Sequence, residues 1–122
     1  MARVLVADDA SFMRQMIREI VEAEGHEVVG EASDGDEAVE EFKRLHPDVV
    51  TMDIVMPRRS GIDAVKGIMQ LDPKACVVMC SALGQESLVQ EALQAGARDF
   101  IVKPFKPESV VTTIAKVIEK PE

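Results

Sequence analysis

Five polar residues in this sequence stand directly at the ends of short apolar runs. Asp8 and Asp9 follow Val4 to Ala7, Asp53 ends the run Val49 to Met52, Ser81 follows Cys76 to Cys80, and Lys103 follows Phe100 to Val102. If the runs are parallel strands, all five residues meet at the strands' carboxyl ends, where open α/β sheets place ligands. Singly, each has an ordinary explanation: an Asp after a strand often caps a helix, and a Lys is usually a solvated charge. Five such placements at one sheet edge point instead to a common pocket.

Asp8, Asp9 and Asp53 gathered beside a single ammonium would repel one another, and a divalent cation relieves that repulsion. An all-oxygen, carboxylate-rich site with few protein ligands suits Mg²⁺, which keeps several waters and leaves room for a phosphate oxygen; Mn²⁺ should substitute. A carboxylate beside such a metal is suited to attack on phosphorus, giving an aspartyl phosphate. Asp53 stands alone at its strand end and is the expected nucleophile, while the Asp8-Asp9 pair offers two carboxylates from one turn to hold the metal and its waters. Lys103 can pair with one phosphoryl oxygen, and the Ser81 hydroxyl can hydrogen-bond another. There is no G-x-x-x-x-G-K-[ST] or G-x-G-x-x-G motif, so the phosphoryl donor is expected to come from another molecule.

The elements that must position these residues read as five βα units. The apolar runs Val4 to Ala7, Val28 to Ala32, Val49 to Met52, Cys76 to Cys80 and Phe100 to Val102 are mostly continuous, as in strands covered on both faces. Between them lie helical stripes: Phe12, Met13, Met16, Ile17 and Ile20; Ala38, Val39, Phe42 and Leu45; Ile62, Val65, Ile68 and Met69; Leu88, Val89, Ala92 and Leu93; Val110, Val111, Ile114, Val117 and Ile118. This alternation predicts helices covering a parallel sheet. Asp34 with Glu37 resembles a capping box, and Pro107 suits a first helical turn. Gly25, Pro47, Pro73 and Gly96 each stand where a stripe should stop.

The 122 residues suffice for one core without disulfides or structural metal, and the whole of 1–122 reads as a single domain with no linker or repeat. A net charge of −8 works against nucleic acid and anionic membrane as partners, leaving proteins and cations. No apolar run is long enough to span a bilayer or form a signal h-region, so a cytoplasmic location is expected. Cys76 and Cys80, read as one strand, would stand about 13 Å apart, too far for a disulfide, and core packing is expected for both. His26 and His46 lack any metal-ligand pattern and read as surface residues near helix-to-strand turns.

The ordered set Ala7-Asp8-Asp9-Ala10, Thr51-Met52-Asp53-Ile54-Val55-Met56-Pro57, Cys80-Ser81-Ala82 and Phe100-Ile101-Val102-Lys103-Pro104 resembles the response-regulator receiver family over the whole chain. The resemblance implies a flavodoxin-like, three-layer α/β/α fold with a five-stranded parallel sheet of order 2-1-3-4-5 and five helices. It implies phosphotransfer from a histidine kinase to Asp53, with Mg²⁺ held by Asp8, Asp9, Asp53 and the main-chain carbonyl of Val55. It also implies a two-state switch in which Ser81 moves toward the phosphoryl group and Phe100 moves inward behind it. Phe100 stands where chemotaxis receivers commonly carry tyrosine, so a hydroxyl contact to a target is lacking. Lys103-Pro104 resembles the family's cis peptide.

Val55 and Leu83 resemble the positions that flank the attacking water during dephosphorylation. Both are apolar, which implies a slow spontaneous loss of phosphate and a use for a partner phosphatase. The stretches Ser11 to Arg14, Cys80 to Gln85 and Ala95 to Phe105 look most like chemotaxis receivers, implying the flagellar motor switch protein as target, reached through the fourth helix, fifth strand and fifth helix. A phosphorelay intermediate passing its phosphate to a downstream histidine phosphotransfer protein is the second reading, and an excised fragment of a transcription regulator the third. A phosphohydrolase of the haloacid-dehalogenase type is disfavoured because the aspartates adjoin instead of forming D-x-D. A pseudo-receiver is disfavoured because acceptor and lysine are both present. The expected molecule is a monomer without an effector domain, a phosphoacceptor that catalyses only its own phosphorylation and dephosphorylation.

Overall fold

In the computed structural model, which describes residues 1–119, successive side chains of the central strands enter two different cores. Leu5 and Ala7, Val50 and Met52, and Val77 and Met79 face one core; Val4 and Val6, Val49, and Val78 face the other. Period-two geometry therefore turns these three central runs into strands buried on both sides.

The elements alternate without exception: β1 (Arg3–Ala7), α1 (Ser11–Ala23), β2 (Glu27–Ala32), α2 (Gly35–Leu45), β3 (Val49–Asp53), α3 (Gly61–Leu71), β4 (Val77–Ser81), α4 (Glu86–Ala95), β5 (Asp99–Val102) and α5 (Pro107–Glu119). The strands pair in parallel in the order β2-β1-β3-β4-β5, the expected 2-1-3-4-5 sheet. Helices α2, α3 and α4 supply Phe42, Ile68 and Val89 to one core, and α1 and α5 supply Ile17, Val21 and Ile114 to the other. This is the three-layer α/β/α, flavodoxin-like fold. The notional end of the last helix at Glu119-Lys120-Pro121-Glu122 lies partly outside the described residues, which carry α5 to Glu119.

Several expectations shift. Cys76 precedes β4, and Ser81 is the last residue of that strand and does not follow it. The edge strands are not covered on both faces: in β5 only Ile101 is buried, with Phe100 and Val102 each 40% exposed. On α1 the apolar stripe is narrower than the periodicity implies. Ile17 and Val21 are buried, whereas Phe12 is 66% and Met16 40% exposed. At 3.6 residues per turn, Phe12 lies about 160° and Met16 about 120° round the helix from the Ile17–Val21 midline.

Caps fix the helix ends. The Asp34 carboxylate accepts from the Glu37 N–H at 2.8 Å, but Glu37 returns its bond to the Ser33 N–H at 2.6 Å, one residue before the position a capping box uses. Helix α2 stops on His46, in left-handed conformation at φ 48°, before Pro47 can interfere. His26 is half-buried, and its Nδ1 accepts from the Ala2 N–H at 2.9 Å, so it secures the start of β1 and is more than a surface residue. Both cysteines are free, and burial pushes the Cys80 thiol up to about 12, leaving it inert. Among the described residues no helix is long and apolar enough to cross a membrane.

Candidate functional site

Parallel pairing delivers the site residues to one edge. Ala7 pairs with Met52, Asp53 with Cys80, and Ser81 with Val102, so the residues at or just beyond these positions line up along the sheet's carboxyl end. Main-chain bonds extend the ladder past the strands: Asp8 N–H to the Ala32 carbonyl at 2.9 Å, Ile54 N–H to the Cys80 carbonyl at 3.3 Å, and Lys103 N–H to the Ser81 carbonyl at 2.7 Å. Residues separated by up to 95 positions thereby become neighbours.

At the centre, the Lys103 ammonium donates to Asp8 Oδ2 at 3.1 Å and to Asp53 Oδ1 at 3.2 Å. Asp8 and Asp53 are buried and Asp9 is exposed; one carboxylate oxygen from each lies within 4.8 Å of the others. Ser81 is buried beside them, 2% exposed. Val55 lies two residues past β3 with its side chain exposed, and the Lys103-Pro104 peptide is cis.

Three carboxylates against one ammonium leave a local excess of negative charge. Burial, reinforced by the Asp8 carboxylate and opposed by Lys103, holds the Asp53 carboxyl above its ordinary value. Burial alone would pull the Lys103 ammonium down, but Asp53 and Asp8 outweigh it and hold its pKa up, so the lysine is charged. A compact, all-oxygen cluster with uncompensated charge, one face open at Asp9, fits a hard divalent cation of the Mg²⁺ type. The same cluster offers a carboxylate and a fixed ammonium to a tetrahedral anion.

Beside Ser81 a cavity of about 140 Å³ is lined by Ala82, Val89, Phe100 and Val102 among others. A cavity of about 150 Å³ accommodates benzene. The half-exposed Phe100 ring therefore stands next to a space that fits a phenyl group.

Gly61 was not legible as a site residue. It begins α3, its N–H donates to the Ile54 carbonyl at 2.7 Å, and a Cβ there would collide with the Asp53 carbonyl. The only signal in the sequence is a glycine eight residues after the candidate nucleophile. Gly61→Ala should destabilise the chain by about 1–3 kcal/mol, read from the urea midpoint, because main chain at the nucleophile must shift.

The family model for the response regulator receiver domain matches residues 4–115. The chain is 57% identical to the chemotaxis protein CheY of Thermotoga maritima over 115 residues, 94% of this chain and 96% of that protein. It is 53% identical to CheY of Bacillus subtilis, covering 95% and 97%. Among solved structures, a CheX-CheY-BeF3-Mg²⁺ complex from Borrelia burgdorferi contains a chain that superposes with a TM-score of 0.92 at 40% identity, covering 97% of this chain and 90% of that one. The strand order, the convergent carboxylates and lysine, and these matches together place this chain in the response regulator receiver family, and it belongs to that family as a two-component response regulator domain.

Proposed function

We propose that the chain accepts a phosphoryl group on Asp53 from the phosphohistidine of a histidine kinase and acts as a chemotaxis regulator on the flagellar motor switch protein. The observation that carries this reading is the Lys103 ammonium set between Asp8 and Asp53 with the Asp9 carboxylate in the same cluster. An Asp53 oxygen attacks phosphorus, the P–N bond breaks, and its electron pair leaves with the donor imidazole, which takes up a proton. Asp8, Asp9, Asp53 and the main-chain carbonyl of Val55 would hold Mg²⁺, which would supply charge neutralisation to the transferring oxygens. Lys103 neutralises a further share and keeps Asp53 oriented, and the Ser81 hydroxyl donates to the new anion. Phe100 then enters the cavity behind Ser81, changing the surface of α4, β5 and α5 that meets the target.

CheY relatives at 57% and 53% identity support the chemotaxis reading. The Borrelia relative's complex with CheX and Mg²⁺ supports both a cation and a protein partner for this chain. Incubation with acetyl phosphate with and without Mg²⁺, followed by intact mass, tests the proposal. One phosphoryl group gained only with Mg²⁺ is the expected result; no adduct at short times would overturn it and leave a constitutive binding role.

A slow return to the unphosphorylated state follows from Val55 and Leu83, which are 58% and 80% exposed and offer no group to orient water. Val55→Asn with Leu83→Glu should speed spontaneous dephosphorylation by about tenfold or more, measured by decay of the mass adduct. The exposure of both side chains means the fold should tolerate the change.

A further inference from the structure

Arg14, in the first turns of α1, is anchored at two points. Its Nε donates to Glu31 Oε1 on β2 at 2.8 Å, and its Nη1 donates to the main-chain carbonyl of Asp8 at 2.7 Å. The rest of the acidic turn is also bonded: the Asp8 N–H reaches Ala32 at 2.9 Å, and Asp8 Oδ1 accepts from the Ala10 N–H at 2.9 Å. The Asp8 carbonyl belongs to the rigid peptide plane that leads into Asp9. Arg14 therefore grips the unit that joins the two carboxylates, whereas Lys103 grips only one of them.

Glu31 is held on its other side. Arg18 donates to Glu31 Oε2 from Nε at 3.0 Å and from Nη2 at 2.6 Å. Those hydrogen bonds, with help from Arg14 and against burial, keep the Glu31 carboxyl below its ordinary value, so it is ionised at neutral pH. The guanidinium of Arg14 thus has a charged, fixed acceptor behind it, and its planar fork sets the angle at which the second donor meets the Asp8 carbonyl.

We propose that Arg14 is a positioning residue for the cation site, locking the Asp8–Asp9 peptide so that both carboxylates converge with Asp53. This rests on the reading of Asp8, Asp9 and Asp53 as the cation site. Partners behind metal ligands commonly contribute 10-fold or more to affinity. Electrostatics alone predicts the opposite sign, because deleting a positive charge near carboxylates tightens cation binding. A loss of affinity on removing Arg14 would therefore report geometry.

The test is titration of the whole chain with MgCl₂ by calorimetry, with urea midpoints measured alongside. Arg14→Met keeps the apolar stem and removes both donors; it should bind Mg²⁺ about tenfold more weakly. Arg18→Met also breaks an arginine–Glu31 pair but never touches Asp8, and it should bind Mg²⁺ as the wild type does or slightly better. If Arg14→Met does not fold, Arg14→Lys, which replaces the planar two-donor fork with a point charge, should show a smaller loss. Wild-type affinity in the folded Arg14 variant, or equal losses in the Arg14 and Arg18 variants, would overturn the inference while leaving the cation reading intact. A wild-type chain that takes up no Mg²⁺ would overturn both.

Discussion

Asp53→Asn should take up no phosphoryl group from acetyl phosphate under conditions that label the wild type, and without divalent cation it should be more stable than the wild type. The first outcome follows from chemistry, since an amide at this position has no anionic oxygen to attack phosphorus. The second follows from charge. Asp53 sits buried against Asp8, with Asp9 in the same cluster, and Lys103 only partly offsets that repulsion. In the fold its carboxyl keeps its proton to higher pH than the ordinary 3.8, so between those two values the folded chain binds more protons than the unfolded chain. Stability from this group is greatest below 3.8 and declines as pH rises through the raised folded value. Urea midpoints in EDTA should favour the Asn variant at pH 7.5, and the difference should shrink toward pH 4. An Asn variant less stable at pH 7.5 would mean the fold needs the Asp53–Lys103 pair more than it suffers from the clustered carboxylates.

Lys103→Met should move stability the other way and slow phosphorylation by about 100-fold. The lysine makes ion pairs of 3.1 and 3.2 Å with two buried carboxylates, and its side chain is only 17% exposed. Removing it leaves three carboxylates without the ammonium that faces them, a loss of about 3 kcal/mol in the absence of a cation. Mg²⁺ affinity should rise because a competing positive charge is gone, so the slower labelling cannot be attributed to an empty site. The readout is the initial rate of mass gain at saturating Mg²⁺, beside a calorimetric titration. Unchanged labelling at saturation would confine Lys103 to a structural role.

The contrast between these two variants depends on charge count within one cluster. Deleting an acid relieves it and deleting the base worsens it, although both substitutions break the same 3.2 Å ion pair. A site built only for stability would balance its charges. This one is left negative, and the excess suits it to a cation.

Short-range pattern is enough to predict helices covering a parallel sheet and five residues gathered at its edge, whereas the three layers and the strand order come from the family resemblance. The run Val49 to Met52 becomes a central strand buried on both faces, and parallel strands joined by helices must present all their carboxyl ends together. Which surfaces the pattern leaves open depends on how the segments pack. Phe12 and Met16 carry the apolar signal of α1 yet stand exposed, because helix rotation against β1 and β2 buries Ile17 and Val21, with Ile20 packed beside them. The pairing of Arg14 with Glu31 is likewise tertiary, because their spacing of 17 residues means nothing until α1 and β2 lie side by side. Gly61 is similar: a missing Cβ becomes a requirement only when the Asp53 carbonyl at the end of β3 occupies that space. Local periodicity encodes which way a residue faces, whereas the neighbour it faces depends on packing between segments distant in sequence.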